Sequence, residues 1–285
     1  MNSFEELLLQ KTGILRLPGV YDALSARIAV RARAQAVYMS GFGIAGASFG
    51  LPDIGLLGPD QMAERVRAIA ASIAPVPLIA DGDNGYGGPA NVVQLVRAYQ
   101  QAGVQCVQLE DQASPKRCGH MEGKTVVPIG DAVANIRAAV SARQSTSFKI
   151  MARTDARQSN GLDEAMRRGE AFLSAGADIL FIEAPQSEYE LRVIGEHFHG
   201  ATLVVNQVEG GKTPLLPCRE LERLGYRIAL YPISALLSVS RTLERVYRNL
   251  LAEDQTSSGE RASFAEFCDI VGLKDWEARI NGATG

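Results

Sequence analysis

The chain has 285 residues, of which 46% are hydrophobic and 21% are charged, and its formal net charge is −3. This length and composition are typical of one soluble α/β enzyme domain with a large core. A nucleic-acid partner is excluded by the lack of a basic stripe. A membrane span is excluded because no segment approaches the required run of about 20 apolar residues.

The first six residues are polar and acidic, unlike a secretory signal. The four cysteines are too few for a disulfide framework and lack the C-x-x-C spacing of zinc sites. They are Cys106, Cys118, Cys218 and Cys268. We therefore expect a cytoplasmic protein.

Short apolar runs alternate with amphipathic stretches along the chain, and eight of these runs predict β-strands. The predicted strands lie near residues 15–20, 36–40, 78–83, 106–110, 149–153, 179–183, 202–206 and 228–231. Helical apolar spacing covers residues 62–73, 90–102, 132–143, 162–175 and 188–198. Glycines that follow two of these stretches are typical helix stops.

Eight strands, most of them followed by a helical stretch, predict a closed (β/α)₈ barrel of the TIM type. An open doubly wound sheet is the main alternative, but the G-x-G-x-x-G turn of dinucleotide folds is absent. We expect residues 1–252 to form the catalytic barrel. Residues 253–285 are expected to form a C-terminal helical extension that packs on its own barrel or on a neighbouring subunit.

Acidic residues gather where the third and fourth predicted strands end. Asp81 and Asp83 are two residues apart and are expected to share one strand face, beside Glu110 on the next strand. Buried carboxylates repel one another unless a cation is present. Asp53, in a loop, is a fourth candidate ligand. Oxygen ligands of this kind indicate Mg²⁺ or Mn²⁺. A polar turn is the alternative for residues 81–85, but Glu110 at the same barrel end favours the metal site.

A long loop, residues 114–124, follows the fourth strand. It places the cationic side chains of Lys116, Arg117 and His120 around Cys118. Positive neighbours lower the pKa of a thiol, and the glycines of the loop allow it to act as a lid. A solvated basic loop with an incidental cysteine is the alternative. Because cysteine normally prefers burial, an exposed cationic setting favours a reactive thiol.

Other strand ends carry further polar side chains. Arg153 offers a planar fork for a carboxylate. A structural ion pair with Glu183 is the alternative, and such a pair could also hold the arginine in position for a substrate. Asn206 ends the seventh strand. The turn of Ser40, Gly41 and Phe42 follows the second strand, and its free N–H groups could receive an anion.

These motifs, in this order, resemble the isocitrate lyase/phosphoenolpyruvate mutase superfamily over about residues 19–246. They are DGDNGYG at 81–87, LEDQ at 109–112, KRCGH at 116–120 and ARTDA at 152–156. The KRCGH segment is the most specific of them. It is similar to the catalytic loop of the lyase branch, which cleaves isocitrate, 2-methylisocitrate or 2,3-dimethylmalate.

The resemblance implies a role for each matching residue. Asp81 would bind Mg²⁺, or alternatively Mn²⁺, directly, and the residues that hold the metal's waters would be Asp53, Asp83 and Glu110. The catalytic residues would be Cys118, His120, Arg153 and Glu183. The substrate-binding residues would be Ser40, Gly41, Phe42, Lys116, Gly119 and Asn206.

The implied reaction is cleavage of a carbon–carbon bond in a 2-hydroxy-dicarboxylate or tricarboxylate, with Cys118 as the proton donor to C3. Phe42 replaces a glycine of the 2-methylisocitrate lyase pattern, which favours a small, alkyl-substituted malate. The alternatives are an oxaloacetate hydrolase or decarboxylase, a phosphonate P–C bond enzyme and, least favoured, a non-catalytic metabolite-binding barrel. The family further implies a homotetramer, a dimer of dimers, whose C-terminal helices are exchanged between subunits.

Overall fold

Eight parallel strands close into a barrel in the computed structural model, which describes residues 3–10, 13–119, 122–253 and 261–283. The strands are β1 Leu15–Val20, β2 Val37–Met39, β3 Leu78–Asp81, β4 Cys106–Glu110, β5 Lys149–Thr154, β6 Ile179–Ile182, β7 Thr202–Asn206 and β8 Tyr226–Tyr231. Each strand pairs with the next, and β1 pairs with β8, with Leu15 opposite Ile228. The predicted (β/α)₈ barrel is therefore confirmed.

Helices surround this barrel and extend beyond it. They are α1 Phe4–Leu9, α2 Ala23–Arg31, α3 Gly41–Phe49, α4 Pro59–Ile73, α5 Pro89–Gln101, α6 Ile129–Ala142, α7 Ala156–Asn160, α8 Leu162–Ser174, α9 Glu188–His197, α10 Cys218–Arg223, α11 Ser234–Glu253, α12 Phe264–Ile270 and α13 Leu273–Ala283. Gly103 and Gly176, just beyond α5 and α8, have φ of 90° and 99°. This left-handed conformation favours glycine, so both predicted helix stops are confirmed.

Alternate residues of the strands form a cluster that fills the barrel. Its members include Leu17, Tyr38, Ile79, Cys106, Met151, Ile179, Phe181, Val204 and Ile228. Phe4 and Leu7 of α1 belong to the same cluster, beside the end at which the strands begin. Since side chains alternate along a strand, the same face carries Asp81, Glu110 and Arg153 at the other end. The apolar interior thus supports a polar site at the carboxyl ends of the strands.

Asp83 does not share a strand face with Asp81, so that prediction is wrong. β3 ends at Asp81, and Asp83 has φ of 47°, in the left-handed region. The Asp83 N–H donates to Asp81 Oδ1 at 3.0 Å, which closes a short turn of the kind that Asp side chains stabilise. The turn still keeps the two carboxylates close together.

The C-terminal helices lie outside the barrel. α12 contacts α2 of the same chain through an Arg31–Asp269 ion pair and a 3.3 Å hydrogen bond from Arg27 Nη1 to the Ile270 carbonyl. The division at residues 252–253 and the exchange of these helices between subunits stay predictions. Within the described ranges, no helix has both the length and the apolar character needed to cross a membrane.

Candidate active site

A cavity of about 130 Å³ opens at the carboxyl ends of the strands. The predicted site residues that line it are Ser40, Phe42, Asp53, Asp81, Glu110, Lys116, Cys118, Gly119, Arg153 and Asn206. Gly41, Asp83 and Glu183 each contact one or more of these residues. His120, predicted to be catalytic, lies outside the described residues. The structure thus brings together every predicted site residue that it describes.

Asp81 lies at the centre of a hydrogen-bonded group. Its carboxylate accepts from the N–H of Gly41 at 3.1 Å, from the N–H of Asp83 at 3.0 Å and from Gln108 Nε2 at 3.2 Å. The Tyr38 hydroxyl donates to Gln108 Oε1 at 2.9 Å and so orients that amide. Burial, and then the charge of Asp83, raise the pKa of Asp81 to about 6.

Glu110 faces Asp81 from the neighbouring strand and is also buried. Burial raises the pKa of Glu110 well above its usual value, although the Arg153 guanidinium 3.5 Å away acts in the opposite direction. Among the described residues, Glu110 Oε1 has no hydrogen-bond partner. A buried carboxylate oxygen of this kind is costly to leave unsatisfied, so it favours a bound cation or its water.

Lys116 lies between two of the other carboxylates. Its buried ammonium forms an ion pair with Asp53 and lies 2.6 Å from Asp83 Oδ1. Burial opposes the charge of Lys116, but the carboxylates outweigh it and raise its pKa. The expected exposed setting of Cys118 is therefore wrong in two respects. Cys118 is half-buried, and the Lys116 ammonium is directed to the carboxylates, because a buried ammonium needs countercharges.

The donor set fits Mg²⁺. Four buried carboxylates (Asp53, Asp81, Asp83 and Glu110) share the cations of Lys116 and Arg153, so negative charge is in excess. Within the described part of the chain, no group of three or more His, Cys, Asp or Glu side chains is arranged so that it could hold a metal ion. Mg²⁺ does not need such a group, because it keeps several waters and requires only one or two carboxylates. The fit also extends to Mn²⁺, which prefers the same oxygen ligands.

Arg153 is held mainly by Asp155. Two hydrogen bonds of 2.9 Å join its Nε and Nη2 to the two oxygens of that carboxylate, whereas Glu183 Oε2 is 3.9 Å from Nε. The contact of Arg153 with Glu183, expected as the structural alternative, is therefore weaker than its contact with Asp155. The guanidinium also lies over the Phe181 ring, 5.3 Å from its centroid. Asp155 was not predicted as a site residue, although it follows Arg153 by two positions, as Asp83 follows Asp81.

The cysteine loop approaches Arg153 and Glu183 at a glycine. A Cβ atom at Gly119 would lie 2.5 Å from Glu183 Oε1 and would also collide with Arg153 Nη2. Glu183 accepts from Asn206 Nδ2 at 3.2 and 3.3 Å on its two oxygens. Only glycine lets the loop backbone pack directly on these side chains, and this contact places Cys118 in the same cavity.

The loop is closed by a short antiparallel stem. Gln112 pairs with Val126, and the Ala113 N–H donates to the Thr125 carbonyl at 2.9 Å. The Gln112 amide also exchanges two hydrogen bonds, of 2.8 and 2.9 Å, with the backbone of Arg117. These contacts fix both flanks of the segment that carries Cys118.

Ser40 and Gly41 begin a helix rather than an open turn. Ser40 is the N-cap of α3, and its Oγ accepts from the N–H of Gly43 at 3.2 Å. The expectation of free N–H groups is wrong for Ser40, which donates to the Val20 carbonyl at 3.2 Å, and for Gly41, which donates to Asp81. A Cβ atom at Gly41 would lie 2.8 Å from Asp81 Oδ2, so glycine permits this contact. The start of α3 remains a suitable place for a substrate carboxylate.

Comparison with known proteins gives one consistent group. The family profile of phosphoenolpyruvate phosphomutase matches residues 4–251. The chain is 45% identical over 283 residues to 2,3-dimethylmalate lyase of Eubacterium barkeri, covering 98% of this chain and 97% of that protein. It is 37% identical to 2-methylisocitrate lyase of Bacillus subtilis strain 168, covering 95% and 89%.

Solved structures give the same picture. A crystal structure of 2,3-dimethylmalate lyase superposes with a TM-score of 0.94 at 33% identity, covering 100% of this chain and 96% of that one. Oxaloacetate acetylhydrolase in complex with 3,3-difluorooxalacetate superposes with a TM-score of 0.93 at 33% identity, covering 98% and 95%. Phosphonopyruvate hydrolase in complex with oxalate and Mg²⁺ gives 0.83 at 27% identity, covering 93% and 92%.

Proposed function

The chain belongs to the phosphoenolpyruvate mutase/isocitrate lyase superfamily, and we propose that it is a Mg²⁺-dependent lyase of 2-hydroxy-dicarboxylates. The reaction breaks the C2–C3 bond and yields a 2-oxo acid and a second carboxylic acid. Its relatives carry the same kind of activity in their names, 2,3-dimethylmalate lyase and 2-methylisocitrate lyase.

One observation carries the proposal. Cys118 lines the same cavity as Arg153, Asn206 and the carboxylates Asp81 and Glu110. A thiol in this position can give a proton to the carbon that leaves, while cations and amide donors stabilise the charge that develops. A metal site alone would be equally compatible with several other reactions of the superfamily.

The metal would be held by Asp81 directly and, through waters, by Asp53, Asp83 and Glu110. Bound there, Mg²⁺ would polarise the 2-hydroxyl group and stabilise the forming 2-oxo group. Support for this assignment comes from the raised pKa of Asp81 and the unsatisfied oxygen of Glu110. The solved phosphonopyruvate hydrolase complex contains Mg²⁺.

The protein's own groups account for the remaining steps. The start of α3 at Ser40 and Phe42 receives the carboxylate of the forming 2-oxo acid. The hydroxyl proton leaves to a base as C2–C3 breaks, and the electron pair of that bond moves onto the C3 carboxylate. Arg153 and Asn206 stabilise the resulting enediolate. Cys118 then transfers its proton to C3, which completes the second product. His120 and Glu183 would contact that product.

The substrate is a small, alkyl-substituted malate. The cavity is compact, and part of its lining is apolar: Phe42, Val208, Leu230 and Ile233. These side chains suit methyl groups better than the third carboxylate of 2-methylisocitrate, which would need a further cation. The 45% identity to 2,3-dimethylmalate lyase points the same way. With 2,3-dimethylmalate, the products would be pyruvate and propanoate.

A substrate panel with Mg²⁺ tests the proposal. The purified enzyme is assayed with 2,3-dimethylmalate, 2-methylisocitrate, isocitrate and oxaloacetate, and the products pyruvate, glyoxylate, oxalate and CO₂ are quantified. We expect the highest kcat/KM with 2,3-dimethylmalate. A kcat/KM for 2-methylisocitrate well above that value would show that the apolar lining does not select against the tricarboxylate.

Oxaloacetate hydrolysis is the second candidate function. It is favoured by the similarity to oxaloacetate acetylhydrolase over 98% of the chain, and it would use the same carboxylates and Arg153. Oxalate as the main product of the panel would establish it. Phosphonate chemistry is disfavoured by the Cys118 loop. A metabolite-binding barrel would bind Mg²⁺ and leave every substrate unchanged.

The functional unit is proposed to be a homotetramer in the cytoplasm. Helix α11 exposes a row of apolar side chains, including Leu237, Leu243, Tyr247 and Leu251, and such a patch is typical of a subunit interface. All four cysteines lie in the described ranges and none forms a disulfide, in keeping with a reducing compartment. Native mass spectrometry should show a tetramer that Leu243→Glu weakens and Arg241→Ala, on the same helix, does not. A monomeric wild type would contradict this assembly.

A further inference from the structure

Lys124 carries a completely buried charge next to the cysteine loop. Its side chain and that of Asp155 are both 0% exposed, and Lys124 Nζ lies 2.6 Å from Asp155 Oδ1. The same ammonium donates to the backbone carbonyl of Gly119. Burying an ion pair gives little net stability, because desolvation offsets the attraction. The position of this pair therefore suggests a role other than stabilising the fold.

Asp155 joins Lys124 to the guanidinium of the site. Its Oδ1 accepts from both Lys124 Nζ and Arg153 Nη2, and its Oδ2 accepts from Arg153 Nε at 2.9 Å. One carboxylate thus fixes both cations. A displacement of Lys124 would remove a partner from the oxygen that orients Arg153.

The backbone of Gly119 connects the Lys124 ammonium with the residue that carries the thiol. The Gly119 carbonyl accepts from the ammonium, and the residue before it is Cys118. The ammonium is itself anchored, because Lys124 precedes the stem in which Thr125 and Val126 pair with Ala113 and Gln112. The fixed end of the loop therefore holds the backbone next to the thiol.

We infer that Lys124 is a positioning residue, which holds the Cys118–Gly119 backbone against the Arg153–Asp155 pair. In this arrangement, the thiol is directed to C3 and the guanidinium to the oxygens of the carboxylate on C3, at a fixed distance from each other. The inference rests on the proposed function, in which Cys118 protonates C3 and Arg153 stabilises the enediolate. It assigns a role to a lysine that does not itself touch the substrate.

Lys124→Met tests this role, because it removes the ammonium and keeps much of the length of the side chain. We expect kcat to fall about 10²-fold, the effect of a misplacement of about 1 Å, with KM changed by less than about threefold. Without substrate, alkylation of Cys118 by iodoacetamide should become about tenfold faster as the segment opens locally. Peptide mapping by mass spectrometry assigns the alkylated residue. Lys124→Arg should restore part of kcat.

Lys149→Met is the matched control. It breaks a partly buried pair with Glu5, 2.7 Å long, at the opposite end of the barrel, and should leave kcat and the alkylation rate unchanged. The inference is overturned if Lys124→Met lowers Tm but matches this control in kcat and in Cys118 alkylation. If Lys124→Met fails to fold, Lys124→Gln is subjected to the same two measurements. A wild type without lyase activity would refute the proposed function alone, because faster alkylation in Lys124→Met would still support the positioning of Cys118.

Discussion

Asp81 is the residue on which metal binding should depend most. Its carboxylate is buried and lies beside those of Asp83 and Glu110, so deleting it removes the only ligand assigned to the metal directly. We expect Asp81→Ala to abolish both Mg²⁺ binding, measured by isothermal titration calorimetry, and turnover. Asp83→Ala and Glu110→Ala should weaken binding by about 10- to 100-fold, as loss of an outer-shell partner does.

Asp269→Ala is the control for this series, since Asp269 is a half-exposed carboxylate on α12, remote from the cavity. It should bind Mg²⁺ as the wild type does. Full activity of wild-type enzyme after treatment with EDTA would remove the metal from the mechanism.

A substitution at Gly119 tests whether the cysteine loop must lie close to Glu183 and Arg153. In Gly119→Ala, the new methyl group would collide with Glu183 and Arg153, so the backbone next to Cys118 must shift. We expect kcat to fall by about 10²-fold, in the range that a misplaced catalytic group produces. Steady-state kinetics with 2,3-dimethylmalate measures the loss.

Gly130→Ala is the matched substitution, because a Cβ atom there meets nothing within 4 Å. It should keep full activity, and it should gain about 0.5 to 1 kcal/mol in stability from its helical position. Equal kcat values for the two variants would mean that the loop does not pack on Arg153 during turnover.

At the scale of elements, the alternation of apolar runs was enough to predict the barrel. The bounds of β1, β4 and β7 agree with the predictions to the residue, and the apolar interiors of β4 and β7 end at the polar residues Glu110 and Asn206. The prediction for β3 extended too far, since Asp83 continues the alternation but occupies a left-handed turn. The sequence pattern is the same whether a carboxylate continues a strand or lies in the turn that follows it.

Contacts between distant segments were much harder to predict. Lys116 pairs with Asp53 across 63 positions, and Lys124 pairs with Asp155 across 31. Charged loop residues are usually solvated, so nothing in the sequence marks these two lysines as buried. Asp155 was predictable in principle, because it lies two residues after Arg153 at a strand end. Strand-end and loop patterns singled out most of the other site residues, and the family resemblance supplied their roles, which pattern alone left open.

A ligand that fills the cavity should shield the Cys118 thiol from reagents in solution. Cys118 lines that cavity, so pyruvate together with Mg²⁺ should slow its alkylation by iodoacetamide. At ligand concentrations of about ten times Kd, the rate should fall about tenfold. Half-buried Cys268 on α12 serves as the internal control and should react at an unchanged rate. Equal protection of both cysteines would indicate a global effect rather than occupancy of the site.

At the scale of the whole molecule, the buried carboxylates couple stability to pH. Burial raises the pKa values of Asp53, Asp81 and Glu110. An acid whose pKa is raised by folding binds its proton more tightly in the folded state. The stability that these groups contribute therefore falls as the pH rises from the ordinary carboxyl pKa of about 4 to the raised pKa, about 6 for Asp81, and stays at its lowest level above that value.

The proposed Mg²⁺ site uses ionised carboxylates, so the metal should stabilise the protein most where they are deprotonated. Differential scanning fluorimetry should give a larger Mg²⁺-induced rise in Tm at about pH 8 than at about pH 5. Asp81→Ala should show little rise at either pH. A rise in the wild type that does not change with pH would contradict the link between these carboxylates and the metal.

The kinetics of Cys118→Ser test the central claim most directly. The substitution keeps the size of the side chain and a hydrogen bond, but replaces a thiol, which ionises far more readily, with a hydroxyl that hardly ionises near neutrality. If Cys118 protonates C3, kcat should fall by about 10²-fold or more, while Mg²⁺ affinity and Tm stay close to those of the wild type. A Cys118→Ser enzyme with near-wild-type kcat would contradict the lyase mechanism and favour oxaloacetate or phosphonate chemistry at the same site.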